Sequence, residues 1–308
     1  MTVRIGTRGS PLALAQTEWV RRKIEERHPR LKVETVIIKT KGDIMQDVAL
    51  VRIGGKGVFV KEIEDALLKG EIDLAVHSLK DVPAELPEGL VIAVTPERED
   101  PRDVLVSRGN VKFERLRRGA RIGTSSLRRR CQLLAVYPDL EIVPLRGNLD
   151  TRLRKVEVEN LDGVVVAAAG MRRMGWLGRV SHFLPPETLL PAVGQGVLAI
   201  ETRAGDAGLI EDLQFLHSPR TGREAGAERA FLRRLGGGCQ LPVAALAEEK
   251  GDSMVVRGLL GSPDGRLVIR REVRGPAHDY LSLGERLAEE ILAGGGKGIL
   301  AVFYPPCR

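Results

Sequence analysis

The sequence predicts an α/β protein of two related lobes followed by a smaller α+β domain. Three observations carry that reading. From Val3 to about Phe215, short β-rich runs alternate with helical stretches, the pattern of mostly parallel sheets. The tetrapeptide Arg-Ile-Gly-Thr appears twice, at 4–7 and 121–124, each time ahead of a turn into a helix, which points to a repeated unit. After Thr221 the character changes to a helix, a glycine-rich loop and alternating strands.

Val3–Thr7 reads as the first strand. Ser10 is a helix N-cap with Pro11 at the first helical position, and Leu12, Ala15, Trp19 and Ile24 form an apolar stripe. "VETVIIKT" (33–40) is a second strand. "RIGGKG" (52–57) leads into a helix from about Val58 to Lys69, with Phe59, Ile63 and Leu67 on one face. That glycine loop lacks the Walker spacing and would equally serve as a mobile lid. "DLAVHS" (73–78) is a third strand running out into "LKDVP".

A second set starts near Pro101. After "RIGT" (121–124), Ser125 or Ser126 caps a helix with Leu127, Cys131 and Leu134 facing inward. "LEIVPL" (140–145) is a strand, "GNLDTRLRKV" a turn and helix, and "GVVVAAAG" (163–170) a buried strand. "LPAVGQGVLAIETR" (190–203) returns the chain to the first lobe. The last part holds a helix to about Leu235, the "GGGCQLP" loop, strands near 243–274 and a helix from about His278 to Ala293.

A chain of 308 residues has room for two or three such domains. No apolar run approaches the ~20 residues that cross a bilayer, and "MTVRIGTRGS" lacks a signal peptide's apolar core. The three scattered cysteines form neither a disulfide framework nor a zinc pattern, so a cytoplasmic protein without a metal is expected. The net charge of +7 calls for an acidic partner, and with 4% aromatic residues there is little on which to stack bases. A small polyanion fits better than nucleic acid.

In open α/β sheets ligands bind beyond the carboxyl ends of strands, and the unusual residues sit there. Arg8 and Ser10 follow the first strand, and Thr124, Ser125, Ser126, Arg128 and Arg129 follow its counterpart. Arg146 with Arg152, and Arg172 with Arg173, follow later strands. Helix starts with capping hydroxyls bind anions, and arginine adds a bidentate fork. Surface arginines paired with nearby acids are the plainer reading of any one of them, but several strand ends together read as a clamp for several negative groups. Lys80 and Asp81 lie in a turn at a strand end. Asp81 there suits the stabilisation of positive charge or the handling of a ring N–H proton, or it simply shapes a turn closed by Pro83. Cys239 follows three glycines that would leave its thiol uncovered; it is either a nucleophile or a small hydrophobe in a tight loop. Cys131 reads as core and His77 as a residue that holds its loop.

Taken in order, "RIGTRGSPLALAQ", "GGKGVFVKEIEDALL", "DLAVHSLKDVP", "EREDPRD", "IGTSSLRRR", "LRGNLDTRL", "LPAVGQG" and "GGGCQLP" resemble the porphobilinogen deaminase family over nearly the whole chain. The resemblance implies two periplasmic-binding-protein-like α/β domains flanking a cleft, 1–99 with 197–217 and 100–196. A C-terminal α+β domain, 218–308, would carry the cofactor cysteine. It implies an enzyme, a transferase, that joins four porphobilinogen molecules head to tail with loss of ammonia and releases hydroxymethylbilane by hydrolysis. Cys239 would hold a dipyrromethane cofactor through a thioether. Ser78, Lys80, Thr124, Ser125, Ser126, Arg128, Arg129, Arg146 and Gly147 would bind that cofactor, and Arg8, Ser10, Phe59, Arg152, Arg173 and Gln195 the substrate chain. Asp81 would stabilise the cationic azafulvene and steer pyrrole protons. Arg52 stands where the family often has lysine. A cytoplasmic monomer without nucleic-acid or membrane partners is expected; a non-enzymatic anion-binding module is the rival.

Overall fold

Alternating Val3 and Ile5 drive the first strand into a core, and Ser10 then starts the first helix by accepting the Ala13 N–H at 3.3 Å, with Pro11 in its first turn. The computed structural model describes residues 2–44, 60–237 and 241–303. In chain order it contains β1 (Thr2–Thr7), α1 (Pro11–Arg27), β2 (Lys32–Ile37), α2 (Lys41–Ile44), α3 (Lys61–Leu68), β3 (Leu74–Ser78) and β4 (Leu90–Val94). Next come β5 (Asp103–Ser107), β6 (Arg121–Gly123), α4 (Leu127–Val136), β7 (Glu141–Val143), α5 (Leu149–Val158), β8 (Gly163–Ala167), α6 (Ala168–Arg173) and β9 (His182–Leu184). The rest is β10 (Leu198–Arg203), α7 (Ala207–Leu213), α8 (Pro219–Arg234), β11 (Val243–Lys250), β12 (Ser253–Gly261), β13 (Val268–Pro276), α9 (Tyr280–Ile291) and α10 (Lys297–Phe303).

The chain divides into two units, Met1–Glu99 with Gly196–Gly222, and Asp100–Gln195 with Arg223–Arg308. The first holds one sheet, ordered β2-β1-β3-β10-β4, in which β10 runs antiparallel to its neighbours β3 and β4. One face packs on α1 through Val3, Ile5, Val20, Ile24, Leu74, Val76 and Ile200. The other packs on α3 through Ile63, Ala66, Leu67, Ile72 and Ala75.

The second unit holds a sheet ordered β7-β6-β8-β5-β9, with β5 antiparallel to β8 and β9. Matching β6 to β1, β7 to β2, β8 to β3, β5 to β10 and β9 to β4 gives the same order as the first sheet. Local detail repeats as well. Asp73 accepts the Arg4 N–H at 2.8 Å, and Asp162 accepts the Arg121 N–H at 2.7 Å. A Cβ on Gly6 would strike Ile72, and one on Gly123 would come within 2.8 Å of Leu145. The two Arg-Ile-Gly-Thr segments are thus one design used twice, and the two-lobed α/β class expected from the sequence is the observed one.

The same unit contains the antiparallel meander β11-β12-β13, covered by α8 and α9 around Phe231, Val256, Leu260, Leu283 and Leu287. Cys131 of α4 packs with Leu190, Ala244, Leu246 and Leu259, joining the meander to the five-stranded lobe.

Three sequence expectations change. The buried face of α1 is Gln16, Thr17, Val20 and Ile24, with Gln16 held by Ser78 of β3; Leu12 and Ala15 are only half-buried. In α4, Cys131 is inside as expected, but Leu127 and Leu134 are half-buried while Arg128, Arg129, Gln132 and Leu133 are inside. The strand expected over 163–170 ends at Ala167, and Ala168 begins α6. The expected α3 start at Val58, with Phe59, lies outside the described residues.

Candidate functional site

In the first unit the carboxyl ends of β1 and β3 meet the start of α1. Arg8, Ser10, Gln16, His77, Ser78 and Asp81 line one small pocket there, of about 60 Å³. Gln16 is buried and donates from Nε2 to Ser78 Oγ at 3.0 Å, fixing the strand end from the helix side. Leu79–Asp81 form a short 3₁₀ turn, so β3 ends by swinging Lys80 and Asp81 off the sheet. Both side chains are half-buried, and among the described residues Asp81 makes no ion pair. A half-covered carboxylate in such a turn can meet a cationic or N–H-bearing ligand. His77, which also lines this pocket, places Nε2 3.0 Å from Glu201 Oε2, both groups being buried. The sequence expected His77 to hold its loop; it lies instead within β3, bonded to Glu201 of β10.

In the second unit, β6 ends in the turn Thr124–Ser126. Ser126 caps α4 by accepting the Arg129 N–H at 3.4 Å, while Thr124 Oγ1 accepts the Ser126 N–H at 3.2 Å. Ser125 is not the cap. Its hydroxyl donates to the Leu145 carbonyl at 2.8 Å and accepts the Leu145 N–H at 2.9 Å, pinning the segment that leads to Arg146. Gly147 has φ +107°, and its carbonyl accepts Arg152 Nε at 2.8 Å. A Cβ there would lie 2.6 Å from the Thr151 side chain, so the turn needs glycine. Arg173 ends α6, after the strand equivalent to β3.

Arg128 and Arg129 are buried, each about 5% exposed, and both reach Asp103 at the start of β5. Arg128 Nη1 donates to Asp103 Oδ2 at 2.7 Å and to the Leu190 carbonyl at 2.7 Å. Arg129 donates to Asp103 Oδ1 from Nη2 at 2.7 Å and to the Val165 carbonyl from Nη1 at 2.8 Å. Gln195 adds a donor, Nε2 to Asp103 Oδ1 at 3.0 Å. Burial alone would raise the Asp103 pKa, but the charges and hydrogen bonds of the two arginines hold it well below the ordinary range. Burial pulls Arg129 down from its usual value, with Asp103 opposing and Arg128 adding to the pull. Two guanidinium groups against one carboxylate leave a buried excess of one positive charge, which favours an anionic group from outside.

The sequence reading did not pick out Asp103 or Gln16. Asp103 is the first residue of β5 and Gln16 lies in the second turn of α1, each bonded to an expected site residue. Among the described residues no group of three or more His, Cys, Asp or Glu side chains could hold a metal. No helix among those residues is long and apolar enough to cross a membrane. Cys131 is buried, and burial pushes its thiol up to about 12, as suits a core residue. Arg52, Phe59, Cys239 and Cys307 lie outside the described residues.

The chain thus holds two repeated α/β lobes with hydroxyl- and arginine-bearing strand ends, and a C-terminal meander. A family model described as porphobilinogen deaminase, dipyromethane cofactor binding domain, matches residues 3–211, and one described as porphobilinogen deaminase, C-terminal domain, matches 223–293. The chain belongs to the porphobilinogen deaminase family. It is 60% identical over 298 residues to the porphobilinogen deaminase of Syntrophus aciditrophicus, covering 97% of each chain. It is 52% identical over 302 residues to that of Geobacter metallireducens, covering 98% of this chain and 95% of the relative. Among solved structures, the methionine binding protein MetQ aligns with 74% of this chain and 94% of its own, at 16% identity and a TM-score of 0.43.

Proposed function

We infer that this protein is a porphobilinogen deaminase, a transferase that condenses four porphobilinogen molecules head to tail with loss of ammonia and releases hydroxymethylbilane by hydrolysis. The observation that carries the reading is the buried Arg128–Asp103–Arg129 cluster with its excess positive charge. Each pyrrole of the product bears two carboxylates, and such a cluster is costly to maintain unless an anion completes it.

The residues present fit a dipyrromethane cofactor. The excess charge at Arg128 and Arg129, the hydroxyl-lined turn Thr124–Ser126 and the Gly147 turn beside Arg146 supply what its carboxylates require. Cys239 is the proposed covalent anchor, carried by a C-terminal domain over 218–308, and Ser78 and Lys80 are proposed cofactor contacts. Bound there, the cofactor supplies a pyrrole ring as the primer for chain growth.

Arg8, Ser10, Phe59, Arg152, Arg173 and Gln195 are the proposed contacts of substrate and growing chain. For Gln195 the support is indirect, since its amide also orients Asp103. Asp81 is the proposed catalytic residue. Its carboxylate offsets the positive charge that develops as the amino group leaves, and it accepts an N–H from a pyrrole held in the pocket. Gln16 and Ser78 fix the strand end from which Asp81 projects. We further propose that the protein works in the cytoplasm as a monomer, without nucleic-acid partners; the scattered cysteines and the acidic substrate support this.

The test is the incubation of the purified protein with porphobilinogen. One ammonia should appear per pyrrole consumed, together with a linear tetrapyrrole. Asp81→Ala should stay folded and lose about 10²- to 10⁴-fold in turnover. A protein that leaves porphobilinogen untouched, or an Asp81→Ala variant with undiminished ammonia release, contradicts the assignment.

A further inference from the structure

Behind the Asp81 pocket lies a second group of polar side chains, on the α3 face of the first sheet, that the reaction above does not use. Glu64 of α3 and Glu201 of β10 are both buried, at 5% and 0% exposure. Glu64 Oε1 and Glu201 Oε1 are fully covered, and among the described residues neither has a hydrogen-bond partner. The other Glu201 oxygen takes His77 Nε2 at 3.0 Å, and His77 lines the pocket that contains Asp81. Two buried carboxylates that repel one another beside the apolar layer of Ile63, Ala66, Leu67 and Ala75 do not both stay ionised; one holds a proton.

The surrounding charges do not remove that need. On α3 itself Glu62 and Asp65 are further acids. From β10, Arg203 shares the face, but its guanidinium is committed to Asp206, to Asp73 and to the carbonyls of Leu67 and Ile72. From β1, Arg4 is committed to Asp73 and the Gly70 carbonyl. From β3 only His77 faces the group, and β4, Leu90–Val94, carries no titratable residue. Burial, with the charges of Glu201 and Asp65, pushes the Glu64 carboxyl up to about 7.

We propose that Glu64 and Glu201 share one proton and that this pair, acting through His77, positions the strand end bearing Ser78, Lys80 and Asp81. Glu64 is then a positioning residue. When it keeps the proton, Glu201 is free to bind His77 and the strand end is held. When it loses the proton, its charge repels Glu201, the Glu201–His77 contact is disturbed, and the turn is no longer fixed. The consequence for turnover rests on the reading of Asp81 as the catalytic residue; the shared proton does not.

The experiment uses the full-length protein as purified, wild type and Glu64→Gln, between about pH 6 and about pH 8.5. Infrared spectra of the wild type should show a protonated carboxylic-acid C=O band at the acid end that titrates away near neutrality and is missing from Glu64→Gln. The NMR signals of the His77 ring should move with that band in the wild type and stay fixed in the variant. The ratio of variant to wild-type kcat should rise at least about threefold across the range with KM unchanged, since the amide mimics the protonated acid. Absence of the band, His77 signals that ignore it, or a flat kcat ratio overturns the proposal. If the wild type consumes no porphobilinogen, the functional reading falls, while the band and the His77 signals still decide the shared proton.

Discussion

Asp103 holds the Arg129 guanidinium along one edge, its Oδ1 accepting Nη2 at 2.7 Å and Nε at 3.1 Å. This pair joins the first residue of β5 to the first turn of α4, where the helix dipole alone would repel a cation. Arg128 takes the other carboxylate oxygen, so removing the acid leaves two uncompensated buried charges. Asp103→Asn should destabilise the protein by about 3–5 kcal/mol in urea unfolding. A loss below about 1 kcal/mol would show that the cluster is solvated, contrary to its burial.

The two repeated lobes carry matching pH-sensitive acids. Burial acts to raise the Asp73 carboxyl, but hydrogen bonds and charge from Arg4 prevail and hold it below its ordinary value of 3.8; Asp162 is held low in the same way by Arg121 and Arg117. A lowered carboxylate pKa stabilises the fold above the ordinary value, and that stability drains away as pH falls through and below it. Each of Asp73→Asn and Asp162→Asn should cost about 1 kcal/mol at neutral pH, allowing for partial exposure, and should flatten the acid limb of Tm against pH. Glu64 acts in the opposite sense. Its stabilising contribution is full below about 4.5 and is lost as pH rises to about 7, so Glu64→Gln should raise Tm at pH 8 and leave it unchanged at pH 4. Parallel Tm curves for variant and wild type would contradict either assignment.

Gly147 is the backbone position with the least tolerance near the proposed cofactor contacts. Its φ of +107° and the Thr151 side chain behind it both exclude a Cβ. Gly147→Ala should cost about 1–3 kcal/mol and displace Arg152, which donates to the Gly147 carbonyl. Thermal unfolding and the KM for porphobilinogen check this; an unchanged Tm together with an unchanged KM would refute it.

Much of this arrangement was legible in the residues themselves. Ser10–Pro11 announced the start of α1, and the two Arg-Ile-Gly-Thr segments announced a repeat that the two strand orders bear out. What stayed hidden was long-range. Asp103, inside "EREDPRD", was not singled out, because nothing local reveals that α4 lays two arginines against it. The inward face of α4 was misread for the same reason, since Arg128 and Gln132 become tolerable inside only when the Leu190 carbonyl and Asp103 accept from them. The β8–α6 boundary falls within "VVVAAAG", where alanines suit strand and helix alike. The asymmetry of the lobes was visible, however: β3 runs into Lys80–Asp81, whereas its counterpart β8 runs into Ala168–Ala169, with no acid to match.

The account turns on arginine-bearing strand ends that grip an acid-bearing pyrrole chain fastened to one sulfur. Intact mass of the gently purified protein, beside Cys239→Ser, addresses that directly. The wild type should weigh more than its sequence by two pyrrole units bearing acetate and propionate groups, and the serine variant should match its sequence. A wild type at its bare sequence mass, or an adduct that survives in Cys239→Ser, would contradict it.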